Sequence, residues 1–429
     1  MKKLIGIIIF AIGFLPVYSQ NADLRVSDLL NKADWFALEE EYPVLKDSIQ
    51  TPALKLMAEI MLSNAFNRPE QALTRINLML KEYQQEIGFD NACNLVFLAS
   101  IIDGTQGNYA RALGTMNSFL TQLDSLGVKD NLESYMHFYN DYNSFREYPA
   151  PVLLRPDKDI EIPISIEKAG RGTLIYVPVM VHNETYKFIF DTGAATTFLS
   201  EKFANKMGVK VVSDSTWINK GSIGEGVGKS GYLDSMQIGD ITFKNIRVAI
   251  ARPNEQVDSV FQADAILGVD FMKLVKEIRL YPQEKKMLLP SRTTPLPATG
   301  RNVLLTNGNR LILKAYSGGE RLQLVFDTGN VSADLFHTYY DRHKEEIDKI
   351  ARKDTIFGGG FGFVRSVEVL RLPFVPLKIG NTSFEMKNMP VQPVADSSQT
   401  EEDGSVGMDM VKLFSKITLN FDDMFIDLK

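Results

Sequence analysis

The chain has 429 residues and a formal net charge of −6, with 45% apolar residues and a single cysteine. That length predicts two to four domains, each able to bury a core. The mild acidity argues against nucleic acid as a partner, and the lone Cys93 excludes a disulfide-stapled scaffold; its expected place is a small core position.

The first residues carry a targeting pattern. Lys2 and Lys3 precede an apolar run from Leu4 to Leu15, and Pro16 to Ser19 follow with a small residue at the end. The run is too short to span a bilayer, which predicts a secretory signal peptide over 1–20, cleaved near Ser19 or Gln20. No cysteine stands beside that site, which argues against a lipid anchor, and no later stretch is long and apolar enough for an integral membrane segment. The mature chain is expected to be exported: periplasmic, on the outer surface, or secreted.

Residues 21–147 read as helical. Leu73, Ile76, Leu80 and Tyr83 share a helical face, and the spacing recurs at Leu113, Met116 and Leu120. The pairs Ala37-Leu38, Ala72-Leu73 and Ala112-Leu113 recur at 35 and 40 residues. Periods of this size resemble tetratricopeptide-like helical repeats, and a plain helical bundle fits them equally. A repeat domain would offer a surface for a protein partner.

The texture changes at Pro149, Pro151 and Pro156, where Tyr148 to Asp159 reads as a polar linker. Ile160, Ile162, Ile164 and Ile166 then alternate with other residues, a pattern that predicts one strand. A second break at Pro290 to Gly300 divides the strand-rich part, giving expected lobes at 148–296 and 297–429. The two repeat each other. Tyr186 to Phe190 runs into Asp191-Thr192-Gly193, and Leu322 to Phe326 runs into Asp327-Thr328-Gly329. Gly268 to Leu274 is echoed by Gly407 to Leu413, and Ile278 and Leu280 by Ile417 and Leu419. Colinear echoes of this length predict a duplicated lobe, with each aspartate on a loop at a strand end.

Over residues 160–429 these motifs resemble the aspartic proteases of the pepsin and retropepsin group. Phe190-Asp191-Thr192-Gly193-Ala194 is similar to the family's catalytic loop, and Ile266-Leu267-Gly268 to the element packed behind it. In the second copy Asn330 replaces the usual Ala or Ser, and Ser405-Val406-Gly407 has one apolar residue fewer. The resemblance implies an α + β multidomain chain: a helical domain followed by a bilobal all-β protease pair. It implies a catalytic dyad of Asp191 and Asp327, hydrolysing peptide or protein substrates with no metal and no cofactor. One ionised aspartate would act as general base and its protonated partner as general acid, because two carboxylates so close share a proton. Thr192 and Thr328 would bond across the axis, N–H groups near Gly193 and Gly329 would steady the carboxylates, and Val406-Gly407 would pack behind the second loop. Glycine-rich hairpins carrying Gly224 and Gly226, and Gly358, Gly359 and Gly360, would form flaps over a bound peptide; two plain surface loops are the alternative.

Other chemistries find little support. Gly226 to Gly231 spells GxGxxG, yet strand-like residues follow where a dinucleotide site needs a helix. His137, His182, His337 and His343 are scattered, and neither HExxH nor GxSxG occurs. Asp270 and Asp409 recur between the copies and are expected as caps or turn residues. Two rival functions stand beside the protease: a peptide-binding protein of the same shape without turnover, which the departures at Asn330 and Ser405 favour, and a helical docking scaffold.

Overall fold

Three helix–helix junctions near the N-terminus are closed in the same way. Ala33, Asn67 and Gly107 take positive φ values of 50°, 53° and 78°. After each, an amide reaches back five residues: Asp34 to the Leu29 carbonyl (3.0 Å), Arg68 to Ser63 (2.8 Å) and Asn108 to Asp103 (2.9 Å). A left-handed residue stops one helix and frees the next residue to start another. The result is α1 (Ser19–Asn31) with α2 (Trp35–Leu45), α3 (Pro52–Ala65) with α4 (Pro69–Glu82), and α5 (Gln84–Thr105) with α6 (Tyr109–Ser125), followed by α7 (Glu133–Phe145). Ala37, Ala72 and Ala112 all lie buried in the first turn of the second helix of a pair.

The computed structural model describes residues 19–129, 132–169, 172–219, 225–251, 264–306, 309–360, 363–395 and 401–429. The expected leader through residue 18 and the flap glycine Gly224 lie outside them, while Ser19 and Gln20 open α1. The chain divides into two compact units, Met1–Ala150 and Pro151–Lys429. Two helical expectations shift. The fully buried stripes are Ala72, Ile76, Met79 and Ala112, Met116, Phe119, whereas Leu80, Tyr83, Leu113 and Leu120 are half-buried. The small alanine lets the neighbouring helix approach closely, which turns the stripe toward it. Cys93 is half-buried on α5 rather than in the core, and burial, then Asp90, pushes its thiol up. No described helix is long and apolar enough to cross a membrane.

The second unit opens with β1 (Val152–Leu154), β2 (Ile160–Pro163), β3 (Ser165–Ala169), β4 (Gly172–Val181), β5 (Glu184–Phe190) and β6 (Phe198–Ser200). Then come α8 (Glu201–Lys206), β7 (Lys210–Asn219), β8 (Glu225–Ile238), β9 (Ile241–Ala251), β10 (Ala265–Leu267), α9 (Val269–Val275), β11 (Glu277–Tyr281) and β12 (Lys286–Leu289). The second half runs β13 (Val303–Leu305), β14 (Leu311–Ser317), β15 (Glu320–Phe326), β16 (Asp334–Leu335), α10 (His337–Ile350), β17 (Arg352–Gly360), β18 (Phe363–Ile379) and β19 (Thr382–Val391). It ends with β20 (Gly404–Val406), α11 (Met408–Val411), β21 (Ile417–Asn420) and β22 (Phe425–Leu428).

The halves close into the same ring. β4-β5-β10-β6-β9-β8 returns to β4, and β14-β15-β20-β16-β19-β18 returns to β14. Closure leaves no edge inside the ring and buries Phe188, Phe190 and Phe243 on one side and Leu313, Leu324 and Phe326 on the other. A third sheet, β2-β12-β11-β21-β22, takes strands from both halves. In it the echoed residues meet each other antiparallel, Ile278 with Leu419 and Leu280 with Ile417, as a two-fold axis between copies requires. Fully buried Glu277 fastens this seam, accepting from Arg279 Nε (2.7 Å), Thr294 Oγ1 (2.8 Å) and Asn420 Nδ2 (2.8 Å).

Two strand expectations are corrected. Ile160 to Ile166 forms two strands in different sheets: β2, with Pro163 opposite Lys286 at its end, joins the shared sheet, and β3 pairs with β4. The expected polar linker includes β1, an edge strand whose Val152 to Leu154 pair with Lys244 to Thr242.

Candidate active site

Each Asp-Thr-Gly loop hangs from the end of a buried strand. The parallel partner strand fixes where it starts: the Asp191 amide donates to the Leu267 carbonyl (3.1 Å) and the Asp327 amide to Val406 (3.0 Å). The glycine that follows each partner strand has no room for a side chain. A Cβ on Gly268 would stand 2.6 Å from the Thr196 backbone, and one on Gly407 would overlap the Asn330 carbonyl. Past those glycines the helices tie back, Val269 N–H to the Ala194 carbonyl (2.8 Å) and Met408 N–H to Asn330 (2.8 Å).

Thr192 and Thr328 lock the loops together. Thr192 Oγ1 donates to the Phe326 carbonyl (2.7 Å) and accepts from the Thr328 amide (2.9 Å). Thr328 Oγ1 donates to the Phe190 carbonyl (2.7 Å) and accepts from the Thr192 amide (3.0 Å). Both threonines are fully buried, so four bonds free of water competition join the halves at one point.

That lock sets the carboxyls face to face. Asp191 and Asp327 lie close enough to interact directly, by charge and by hydrogen bonding. Each also lies over the other loop's glycine, since a Cβ on Gly193 or Gly329 would collide with the opposite carboxyl. Within its own loop Asp191 Oδ1 accepts from the amides of Gly193 (2.8 Å) and Ala194 (3.2 Å). Asp327 Oδ1 accepts from Gly329 (2.9 Å) and Asn330 (3.1 Å). Asn330 therefore supplies the same backbone donor as Ala194, and its different side chain leaves that bond intact. Burial pushes both carboxyls up from the ordinary aspartate range, and the neighbouring charge of Asp327 adds to this at Asp191. At Asp327 the hydrogen bond with Asp191, the amides of Gly329 and Asn330, and then the charge of Arg310 offset part of that rise, and two carboxyls this close share one proton as a pair.

Asp270 and Asp409 are neither helix caps nor dyad members. Asp270 reaches from α9 to the stretch after the first loop, accepting from the Thr197 amide (2.9 Å) and Thr197 Oγ1 (3.0 Å). Asp409 accepts from the Ala333 amide (2.8 Å) in the second copy. Each also accepts from the next amide of its own helix, Phe271 (2.8 Å) or Met410 (2.9 Å), so one carboxylate ties the helix start to the loop. Asp270→Ala should lower stability in denaturant unfolding by roughly 1–3 kcal/mol, the range for an orphaned buried donor. Asp409→Ala should cost less, having one loop amide to strand.

The glycine-rich stretches are strand segments. Gly226 in β8 pairs with Ile218, and Gly358, Gly359 and Gly360 in β17 pair with Arg365, Val364 and Phe363. Residues 226–231 thus run in a strand, not into a helix. Ile266 and Leu267 lie in β10 beside β5, as Val406 lies in β20 beside β15. Sequence reasoning passed over Asp334, Gln392 and Arg310. The signal was present: seven residues after the aspartate of each Asp-Thr-Gly loop stands Phe198 in one copy and Asp334 in the other. Among the described residues no group of three or more His, Cys, Asp or Glu side chains is arranged to hold a metal ion.

Comparison with known proteins agrees with the geometry at the level of family. Residues 177–274, which include Asp191 and run through most of α9, match the model of the gag-polyprotein putative aspartyl protease family. This supports an aspartic protease family for the β-rich unit. Among solved structures the chain is similar to basic 7S globulin from soybean, with 8% identity, 64% of this chain and 95% of that one covered, and a TM-score of 0.40. It is also similar to conglutin gamma from lupine seeds, with 6% identity, 63% and 94% covered, and a TM-score of 0.39. A retropepsin-like aspartic protease from Rickettsia conorii matches at 21% identity over 32% of this chain and 92% of its own, with a TM-score of 0.22. No curated protein matches the chain.

Proposed function

We propose that the chain is an exported, two-lobed aspartic endopeptidase acting through Asp191 and Asp327. The observation that carries this reading is the seating of each carboxyl against the other loop's glycine, each held by two loop amides and by the buried threonine lock. Ionised Asp327 takes a proton from a water as its oxygen attacks the peptide carbonyl carbon. Protonated Asp191 donates to the carbonyl oxygen, giving a neutral tetrahedral diol. As the C–N bond breaks, the proton held by Asp327 goes to the leaving nitrogen, and the diol returns a proton to restore the pair. No covalent acyl intermediate forms.

The pH dependence follows from the sharing. Activity requires one proton on the pair, so the rate rises as the first carboxyl ionises and falls as the second does. Both are pushed up, which moves the falling limb above the ordinary aspartate range. The test is incubation of the full chain with a mixed peptide pool in ¹⁸O water from about pH 3 to 8. New carboxyl termini should carry one solvent oxygen per cut, with a bell-shaped rate. Absence of cleavage across that range would overturn the reading.

The helical unit, with its thrice-repeated junction, is read as a repeat surface that docks the protein substrate or a partner. Removing residues through 150 should then spare short-peptide cleavage and weaken cleavage of a folded substrate. A rise in short-peptide cleavage would instead mark the helices as an inhibitory cover.

A further inference from the structure

The two rings supply their own internal comparison. On β6, Phe198 pairs with Ile266 of β10. The matching pair on β16 and β20 is Asp334 with Ser405. Leu199 lies beside Ile250, and Leu335 beside Val391, so Ala251 of the first ring corresponds to Gln392 of the second. Ala194 corresponds to Asn330. Four apolar positions in one copy are thus polar in the other, although both rings close in the same order. The fold does not need the polar set, since its twin manages without it.

The polar set forms a chain that ends at the dyad. Asp334 accepts from Ser405 Oγ at one oxygen and from Gln392 Nε2 at the other. Ser405 Oγ accepts a long bond from Asn330 Nδ2 (3.4 Å), and the Asn330 amide donates to Asp327 (3.1 Å). Asn330 Oδ1 also accepts from the Ser332 amide (3.2 Å), which fixes its rotamer. Ser405 pairs with Val325, two residues before Asp327, so the period of the strand places Ser405 and Asp327 on one face. Asp334, Ser405 and Gln392 are all buried, and burying an acid without a counter-ion is costly.

We propose that Asp334 is a positioning residue for the dyad: through Ser405 and Asn330 it holds the second catalytic loop, and its charge beside Asp327 opposes full ionisation of the pair. This rests on the reading of the pair as a protease dyad. Burial pushes the Asp334 carboxyl up to about 6, with Asp327 and Asp409 adding to the rise. Those two are the charges of like sign facing it. Glu402 and Asp403, on the neighbouring stretch, are paired with Arg310 and Arg342. Once ionised, Asp334 places a further negative charge beside Asp327. Its charge delays loss of the second proton and extends activity toward neutral pH.

The test uses the full-length chain with Asp334→Asn, which keeps the shape and removes the charge, and Ser405→Ala, which keeps the charge and cuts the link. The pH profile of kcat/KM should lose its alkaline limb roughly one pH unit earlier in Asp334→Asn, as expected for a like charge removed at short range, with the acid limb unmoved. Ser405→Ala should lower kcat several-fold and leave the limb in place. A carboxyl titration of ¹³C-labelled aspartates reads the dyad without turnover, so it works whether or not peptides are cut. A downward shift of the upper dyad step in Asp334→Asn supports the proposal. If that step is unchanged, or if the variant only loses rate equally at every pH, the proposal is overturned. A shifted step in a chain that cuts no peptide would instead refute the protease reading and keep the coupling.

Discussion

Asp191→Asn and Asp327→Asn should each cut kcat/KM on a peptide substrate by about 10³-fold or more, because in the proposed mechanism each carboxyl both donates and accepts a proton during one turnover. The amide is close in size to the carboxyl and can still accept from the loop amides of Gly193 and Ala194, or Gly329 and Asn330. The fold should therefore survive, and stability should change in a diagnostic direction. Both folded-state carboxyls are raised above the unfolded value. Between those limits the folded chain holds more protons than the unfolded one, so stability falls as pH rises through the raised values. Removing one member of the pair removes that loss. The asparagine variants should melt at or above the wild-type temperature at neutral pH, and the difference should close at about pH 4. An inactive variant that is strongly destabilised at neutral pH would mark the aspartates as structural. A variant that keeps wild-type activity would end the dyad reading.

Gly329→Ala should be nearly as damaging without touching any ionisable group. A Cβ there would stand within van der Waals overlap of all three carboxyl atoms of Asp191, and Gly193→Ala would do the same to Asp327. Neither neighbour can yield, because each carboxyl is held by two amides of its own loop and the loops are joined by the threonine lock. The carboxyls must separate, and a displacement on the order of 1 Å costs about 10²-fold in rate. Overpacking adds a stability loss of roughly 1–3 kcal/mol. Gly114→Ala is the matched control: it lies in α6, a Cβ there meets nothing within 4 Å, and helix propensity favours alanine by up to about 1 kcal/mol. A fully active Gly329→Ala enzyme would show that the loops are not held at the spacing described.

The duplicated core of this protein was legible because it is written in local pattern. Tyr186 to Phe190 and Leu322 to Phe326 read as buried strands, and the 139-residue echo of Ile278 and Leu280 gave the copies their register. The paired turns at Ala33, Asn67 and Gly107 were less legible, since only one of the three positions carries the glycine that left-handed backbone favours. The break at Pro163 was also readable in hindsight, yet four alternating isoleucines outweighed one proline. Asp270 and Asp409 were misplaced because a side chain at the start of a helix looks like a cap until a loop from elsewhere in the chain presents its own amide.

Sequence by itself determined the two Asp-Thr-Gly loops, their strands and the glycines behind them, since each depends on neighbours within a few residues. Only the tertiary structure decided that Asp191 and Asp327 each lie against the other's loop, that Thr192 and Thr328 each complete the other's loop, and that Asp334 reaches the second loop through Ser405 and Asn330. Those facts rest on contacts between segments more than a hundred residues apart, or between three strands that the ring brings together. Burial, and with it the shared proton, exists only once the chain has closed around them.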